Sequence, residues 1–235
     1  MGYLIFKNYI NYKPENGYMK YDLVIFDLDG TIIDGVEYIW KTIHEFLGIE
    51  DHPKRIEHRD KFMTKEISYY DWAKKDLDLM VEYGADRAKI LESLKAATVM
   101  NGAHETLKEL KKRGYKLAII SGSMNVLLEE LLPEYKEVFD YVFINKIFFD
   151  ENGKIKDVEA TPFDMEHKKT GLLKICKIEG IKPDSVAFVG DHKNDLEIAK
   201  IAGFTISFNS KSEELNKIAD VVIEKKDLTE ILKYL

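Results

Sequence analysis

Apolar positions along the chain fall into two rhythms. Continuous runs at residues 23–26 (Leu-Val-Ile-Phe), 115–120 (Tyr-Lys-Leu-Ala-Ile-Ile) and 185–189 (Ser-Val-Ala-Phe-Val) are rich in β-branched and aromatic types, and each breaks at Asp, Ser or Gly. Runs this short, closed by turn residues, predict strands buried on both faces, as at the centre of a parallel sheet. Between them apolar positions recur every three or four residues, which predicts helices over 103–113, 124–132, 166–179, 196–201 and 212–219, with one more at the C-terminus. Further strands are expected at 141–144, 204–208 and 221–223. This repetition of strand and helix implies an α/β fold with a mostly parallel sheet and helices on both faces.

Two segments depart from that rhythm. After residue 34 four helical patterns follow one another, at about 36–47, 53–64, 68–83 and 86–97, with no strand signal among them. Residues 35–99 therefore form an all-helical domain inserted into a core made of 19–34 and 100–235. Near residue 150, Asn152-Gly153 separates two alternating runs and predicts a β-hairpin. Residues 1–18, rich in Tyr and Asn with a Pro-Glu-Asn-Gly cluster, read as an extension without the apolar stretch of a secretory signal.

Composition narrows the class. The chain has 235 residues, 45% hydrophobic and 33% charged, enough to bury a sizeable core. A net charge of −7 argues against a nucleic-acid or anionic-membrane surface, and the apolar runs are too short to span a bilayer. Cys176 is the only cysteine, which excludes an intrachain disulfide and a thiolate metal site and makes a reducing, cytoplasmic setting the expectation. The histidines at 44, 52, 58, 104 and 167 show no metal-ligand spacing.

Candidate chemistry lies where strands end. Asp27, Asp29 and Thr31 follow the first run, Ser121 and Gly122 follow the second, and Gly190, Asp191, Asn194 and Asp195 follow the third. In a parallel sheet these ends share one edge, so distant residues can converge there. Crowded carboxylates repel one another unless a cation neutralises them, and hard oxygen ligands suit Mg²⁺. A serine hydroxyl and backbone N–H groups at a strand-to-helix turn, with a lysine from the pair Lys168/Lys169, can hold an anion such as phosphate. A carboxylate can attack phosphorus directly, and a second one two residues on can carry the proton.

Asp-Leu-Asp-Gly-Thr at 27–31, Ser121 after its strand, the lysine pair, and Gly-Asp-His-Lys-Asn-Asp at 190–195 together resemble, in order, the four signature motifs of the haloacid dehalogenase-like hydrolase superfamily. The resemblance runs from about residue 19 to 235. It implies a three-layer, Rossmann-like core with a helical cap between the first and second motifs, as in phosphoserine phosphatase-like members. It also implies a Mg²⁺-dependent phosphatase that works through an aspartyl-phosphate. Asp27 would be the nucleophile and Asp29 the general acid/base. Thr31, Ser121, Gly122 and Lys168 would bind phosphate. Asp27, the Asp29 backbone carbonyl and Asp191 would hold the metal, with Asn194 and Asp195 in support. Lys168 is preferred because it stands nine residues before Lys177, a spacing similar to phosphoserine phosphatase-like members; Lys169 is then a surface charge.

The expected substrate is a small phosphorylated metabolite. Val36 stands where phosphoserine phosphatases carry a cap-facing Glu, and the helix expected at 68–80 has no arginine, so the groups that would grip an amino acid are missing. Tyr69, Tyr70 and Trp72 are expected to pack within the cap, and His192 to be a solvated loop side chain. Glu37, Trp40, Arg59 and Lys74 are weaker candidates for substrate contact. A phosphosugar mutase and a catalytically idle binding module are the alternatives; the intact Asp27/Asp29 pair speaks against the second.

Overall fold

The computed structural model describes residues 21–164 and 167–235; the extension expected at 1–18 lies outside them. The chain enters on β1 (Leu23–Phe26) and reaches a two-residue strand, β2 (Ile33–Asp34). Four helices follow: α1 (Ile39–Leu47), α2 (Pro53–Met63), α3 (Tyr69–Glu82) and α4 (Arg87–Ser93). β3 (Thr98–Val99) leads to α5 (Ala103–Lys112), β4 (Lys116–Met124), α6 (Asn125–Leu131) and the short α7 (Tyr135–Val138). Next come β5 (Tyr141–Phe149), β6 (Ile155–Glu159), α8 (Lys168–Glu179) and β7 (Val186–Gly190). The chain finishes through α9 (Leu196–Ala199), β8 (Phe204–Phe208), α10 (Glu213–Ile218), β9 (Val221–Ile223) and a 3-10 helix, Leu228–Lys233.

The main sheet has the order β6-β5-β4-β1-β7-β8-β9, parallel except for the β5–β6 hairpin. β1 lies inside it, between β4 and β7, and all four of its residues are fully buried. Its side chains alternate between two apolar layers. Val24 and Phe26 face one layer with Leu107 and Leu110 of α5, while Leu23 and Ile25 face the other with Leu172 and Ile175 of α8. A strand covered on both faces has no polar position, which is why its sequence is continuous rather than alternating.

Three expectations change. β2 and β3 pair antiparallel at the two ends of the helical insertion, Ile33 opposite Val99 and Asp34 opposite Thr98. Two-residue strands carry no period, yet pairing them satisfies backbone groups where the chain leaves and rejoins the core. The strand expected at 141–144 and the first arm of the hairpin are one nine-residue strand, β5. Asn145 looks like a break but is fully buried inside it, with Nδ2 donating to the Gly122 carbonyl at 2.7 Å and Oδ1 accepting from the Thr161 N–H at 2.9 Å. The C-terminal helix is 3-10, capped by Asp227 through the Thr229 N–H.

Local signals set the insertion. Ser68 caps α3 in a reciprocal box with Asp71, and Gly48 ends α1 at φ +69°.

Candidate active site

The carboxylates at the end of β1 sit in unlike surroundings. Asp27 extends the β1–β7 ladder, its N–H donating to the Val189 carbonyl at 2.9 Å. One side-chain oxygen accepts from the Leu28 N–H at 2.8 Å, and the other lies 2.9 Å from Lys168 Nζ. Asp29 turns away from the lysine. Its Oδ1 accepts from the Ser123 hydroxyl at 2.7 Å and its Oδ2 from the Ile39 N–H at 2.9 Å, at the start of α1. Burial pushes the Asp29 pKa up to about 7, against the bonds from Ser123 and Ile39 and with the charge of Asp27 adding to the rise. Gly30 follows at φ +76°, where a Cβ would also collide with Asp191 Oδ2.

The second strand end is longer than the sequence implied. β4 runs on through Ser121-Gly122-Ser123 to Met124, and four steps along it from Ile120 are matched by two along β5. The surplus residues form a bulge beside the site, a device that re-aims side chains at a sheet rim. Ser121 is buried and its Oγ accepts from the Ser123 N–H at 3.2 Å. Gly122 leaves no room for a side chain, since a Cβ would strike the Asp164 carboxylate.

Lys168, the first residue of α8, is fully buried, with Nζ 2.7 Å from Asp195 Oδ1 as well as against Asp27. Burial opposes its charge, but Asp195, Asp27 and Asp164 outweigh burial and hold the pKa above the ordinary lysine value. Lys169 instead pairs with Glu197 at 2.8 Å, so the two lysines sit in different surroundings. Asp195 is fully buried; its Oδ2 accepts from the N–H groups of Asp191 and His192 at 3.0 and 3.1 Å. The fully buried Thr31 donates its hydroxyl to Asp191 Oδ1 at 3.3 Å. Asn194 Oδ1 is buried without a partner.

Asp27, Asp191 and Asp195 offer oxygens within 4.8 Å of one another. Burial, then the charges of Asp27 and Asp195, raise the Asp191 pKa to about 9. Asp195 is similarly raised to about 6, chiefly by burial. One lysine does not neutralise three carboxylates, and an all-oxygen donor set short of positive charge fits a hard divalent cation.

A sequence model of the haloacid dehalogenase-like hydrolases matches residues 21–203. The chain belongs to this family. It is 34% identical over 219 residues to the phosphoserine phosphatase of Methanocaldococcus jannaschii, covering 92% of this chain and 98% of that protein. A solved phospho-aspartyl intermediate analogue of phosphoserine phosphatase superposes with a TM-score of 0.67 at 33% identity, over 92% of this chain and all of that one. A substrate-bound phosphoserine phosphatase gives a TM-score of 0.67 at 32% identity, over 93% and 100%.

Val36 is 4% exposed and belongs to the apolar core, and the buried polar residue of α3 is Asp76, a carboxylate. The insertion also reaches the site with groups expected only to pack or to make weak contacts. The Trp40 indole N–H donates to the Gly122 carbonyl at 3.0 Å, and the Tyr69 hydroxyl donates to Asp164 Oδ2 at 2.9 Å. Tyr70, Arg59 and Lys74 stay at the surface, the last two paired with Asp60 and Asp78, and Glu37 is exposed. Ser123 and Asp164 escaped the sequence reading. Ser123 stood beside a better motif match, and Asp164 follows a hairpin whose place beside β4 is a tertiary fact.

Proposed function

We infer that this hydrolase is a cytoplasmic, Mg²⁺-dependent phosphatase of a small phosphorylated metabolite, with Asp27 taking up the phosphoryl group. The observation that carries this reading is the split environment of its acid pair: Asp27 contacts an ammonium, whereas Asp29 is enclosed and pushed up to about 7. Two carboxylates with separated environments divide nucleophile from proton carrier.

Asp27 and Asp191, with the Asp29 backbone carbonyl, would hold Mg²⁺, and Asp195 would support the site through Lys168. Bound there, the ion supplies charge neutralisation for the carboxylates and the phosphate. Ser121, the backbone N–H groups at Gly122 and Lys168 hold the phosphoryl oxygens, while Thr31 steadies Asp191. The Asp27 carboxylate forms an O–P bond as the ester O–P bond breaks, and Asp29 gives its proton to the departing alcohol oxygen. Asp29 then takes a proton from water, whose oxygen attacks phosphorus and releases phosphate and the Asp27 carboxylate. A pKa near 7 suits both transfers. The helical insertion 35–99 acts as a cap that excludes bulk water.

Phosphate release from p-nitrophenyl phosphate tests the reading. Activity should need Mg²⁺, stop with chelator, and fall by roughly 10⁴ or more in Asp27→Asn. Unchanged release in that variant sinks the proposal.

A further inference from the structure

Where the insertion meets the active-site edge lies a narrow cavity lined by Tyr38, Trp40, Tyr69, Trp72, Ala73 and Asp76. Two of its walls are tied to the site, Trp40 through the Gly122 carbonyl and Tyr69 through Asp164. Trp72 is braced by other rings, stacked on Phe62 with centroids 4.6 Å apart and edge-on to Tyr69 at 5.9 Å. The cavity holds about 10 Å³, so a ligand group enters only as the rings part.

Its polar floor is a carboxylate. Asp76 is 3% exposed, with Oδ2 3.0 Å from His44 Nε2. Arg55 Nε donates to His44 Nδ1 at 2.9 Å, and His44 Nε2, although close to Asp76, makes no hydrogen bond to it. Arg55 is not among the lining residues, and its Nη1 donates to the Glu50 carbonyl at 2.8 Å. Asp76 Oδ1 is buried and accepts no hydrogen bond. The surroundings are negative as well. The Tyr38 hydroxyl is held well above its usual pKa by burial and then by the carboxylates of Asp164, Asp76 and Asp29, which outweigh the opposing charge of Arg55.

Four aromatic residues around a carboxylate with one unsatisfied oxygen make a receptor for a cation. No lysine or arginine is among the lining residues. The Trp72 indole N–H, buried without a partner, is a single neutral donor and does not offset a second carboxylate beside Asp76. We propose that this cavity receives the leaving group and selects an alkylammonium head, so that the substrates are phosphomonoesters of small amino alcohols that carry no carboxylate. The proposal rests on the phosphatase reading above.

The test compares kcat/KM of the full chain with Mg²⁺ on phosphocholine, phosphoethanolamine, phosphoserine and 3,3-dimethylbutyl phosphate, the uncharged isostere of phosphocholine. p-Nitrophenyl phosphate serves as control. Phosphocholine or phosphoethanolamine should exceed both the isostere and phosphoserine by about ten-fold or more. Asp76→Asn should shrink the cation-to-isostere ratio toward one, mainly through KM, and Trp72→Leu should reduce it as well. A ratio taken within one variant does not depend on how much of it folds. Turnover of the control with the isostere or phosphoserine as good as the ammonium esters overturns this inference and leaves the phosphatase reading standing. No turnover of the control removes both.

Discussion

The Ser123 hydroxyl, on the bulge at the end of β4, donates to Asp29 Oδ1 at 2.7 Å and so ties the second strand end to the acid at the end of the first. That bond favours the ionised form of Asp29 and partly offsets burial. Ser123→Ala should therefore raise the Asp29 pKa further and move the limb of the kcat profile that needs the carboxylate to higher pH, by about one unit. The kcat at neutral pH should fall several-fold. An unmoved profile would show that Ser123 does not act through Asp29.

Removing metal should make stability depend on pH in an unusual direction. The unfolded chain loses the Asp29 and Asp191 protons near pH 4, whereas the folded chain keeps them to about 7 and about 9. The folded state then binds more protons across that window, so raising the pH costs stability. Melting temperatures in chelator should fall from pH 4.5 to 9, and Mg²⁺ should restore them most at the alkaline end. Asp191→Asn should flatten the slope and lose the Mg²⁺ response. Glu197 and Asp227, both lowered to about 2, act in the opposite sense, and their contribution is lost only as pH falls from about 4 through 2. A melting temperature that rises with pH in chelator contradicts this account.

The neighbouring lysines should behave differently. Lys168→Met strips two buried carboxylates, Asp27 and Asp195, of their cation and should destabilise the fold by about 3–5 kcal/mol while abolishing activity. Lys169→Ala breaks a half-exposed pair with Glu197 and should stay within about 1 kcal/mol, with normal rates. Urea denaturation and p-nitrophenyl phosphate assays on the two variants decide it.

Gly30→Ala adds a methyl at φ +76° against Asp191 Oδ2. The strain should cost about 1–3 kcal/mol, and displacement of Asp191 should weaken Mg²⁺ binding at least ten-fold. Calorimetric titration with Mg²⁺ measures the second effect separately from the first.

The core and the motif residues were legible in the sequence because their causes are local. Leu23–Phe26 is continuous since it is covered on both faces, and Asp27, Ser121 and Asp191 announce themselves by ending such runs. The hairpin at Asn152-Gly153 was legible for the same reason, as β5 and β6 pair antiparallel around Gly153 at φ +77°. Asn145 was misread as a strand end because its partners, Gly122 and Thr161, come from other segments of the chain.

By itself the amino-acid order determined an alternating core with an acidic edge and a helical insertion after its first buried strand, because period and turn chemistry act over a few residues. Only the tertiary structure decided which lysine is buried, that Ser123 and Asp164 join the edge, and that Tyr69, Trp72 and Asp76 meet in one cavity. Those outcomes depend on contacts between segments far apart along the chain, where burial and charge act through space.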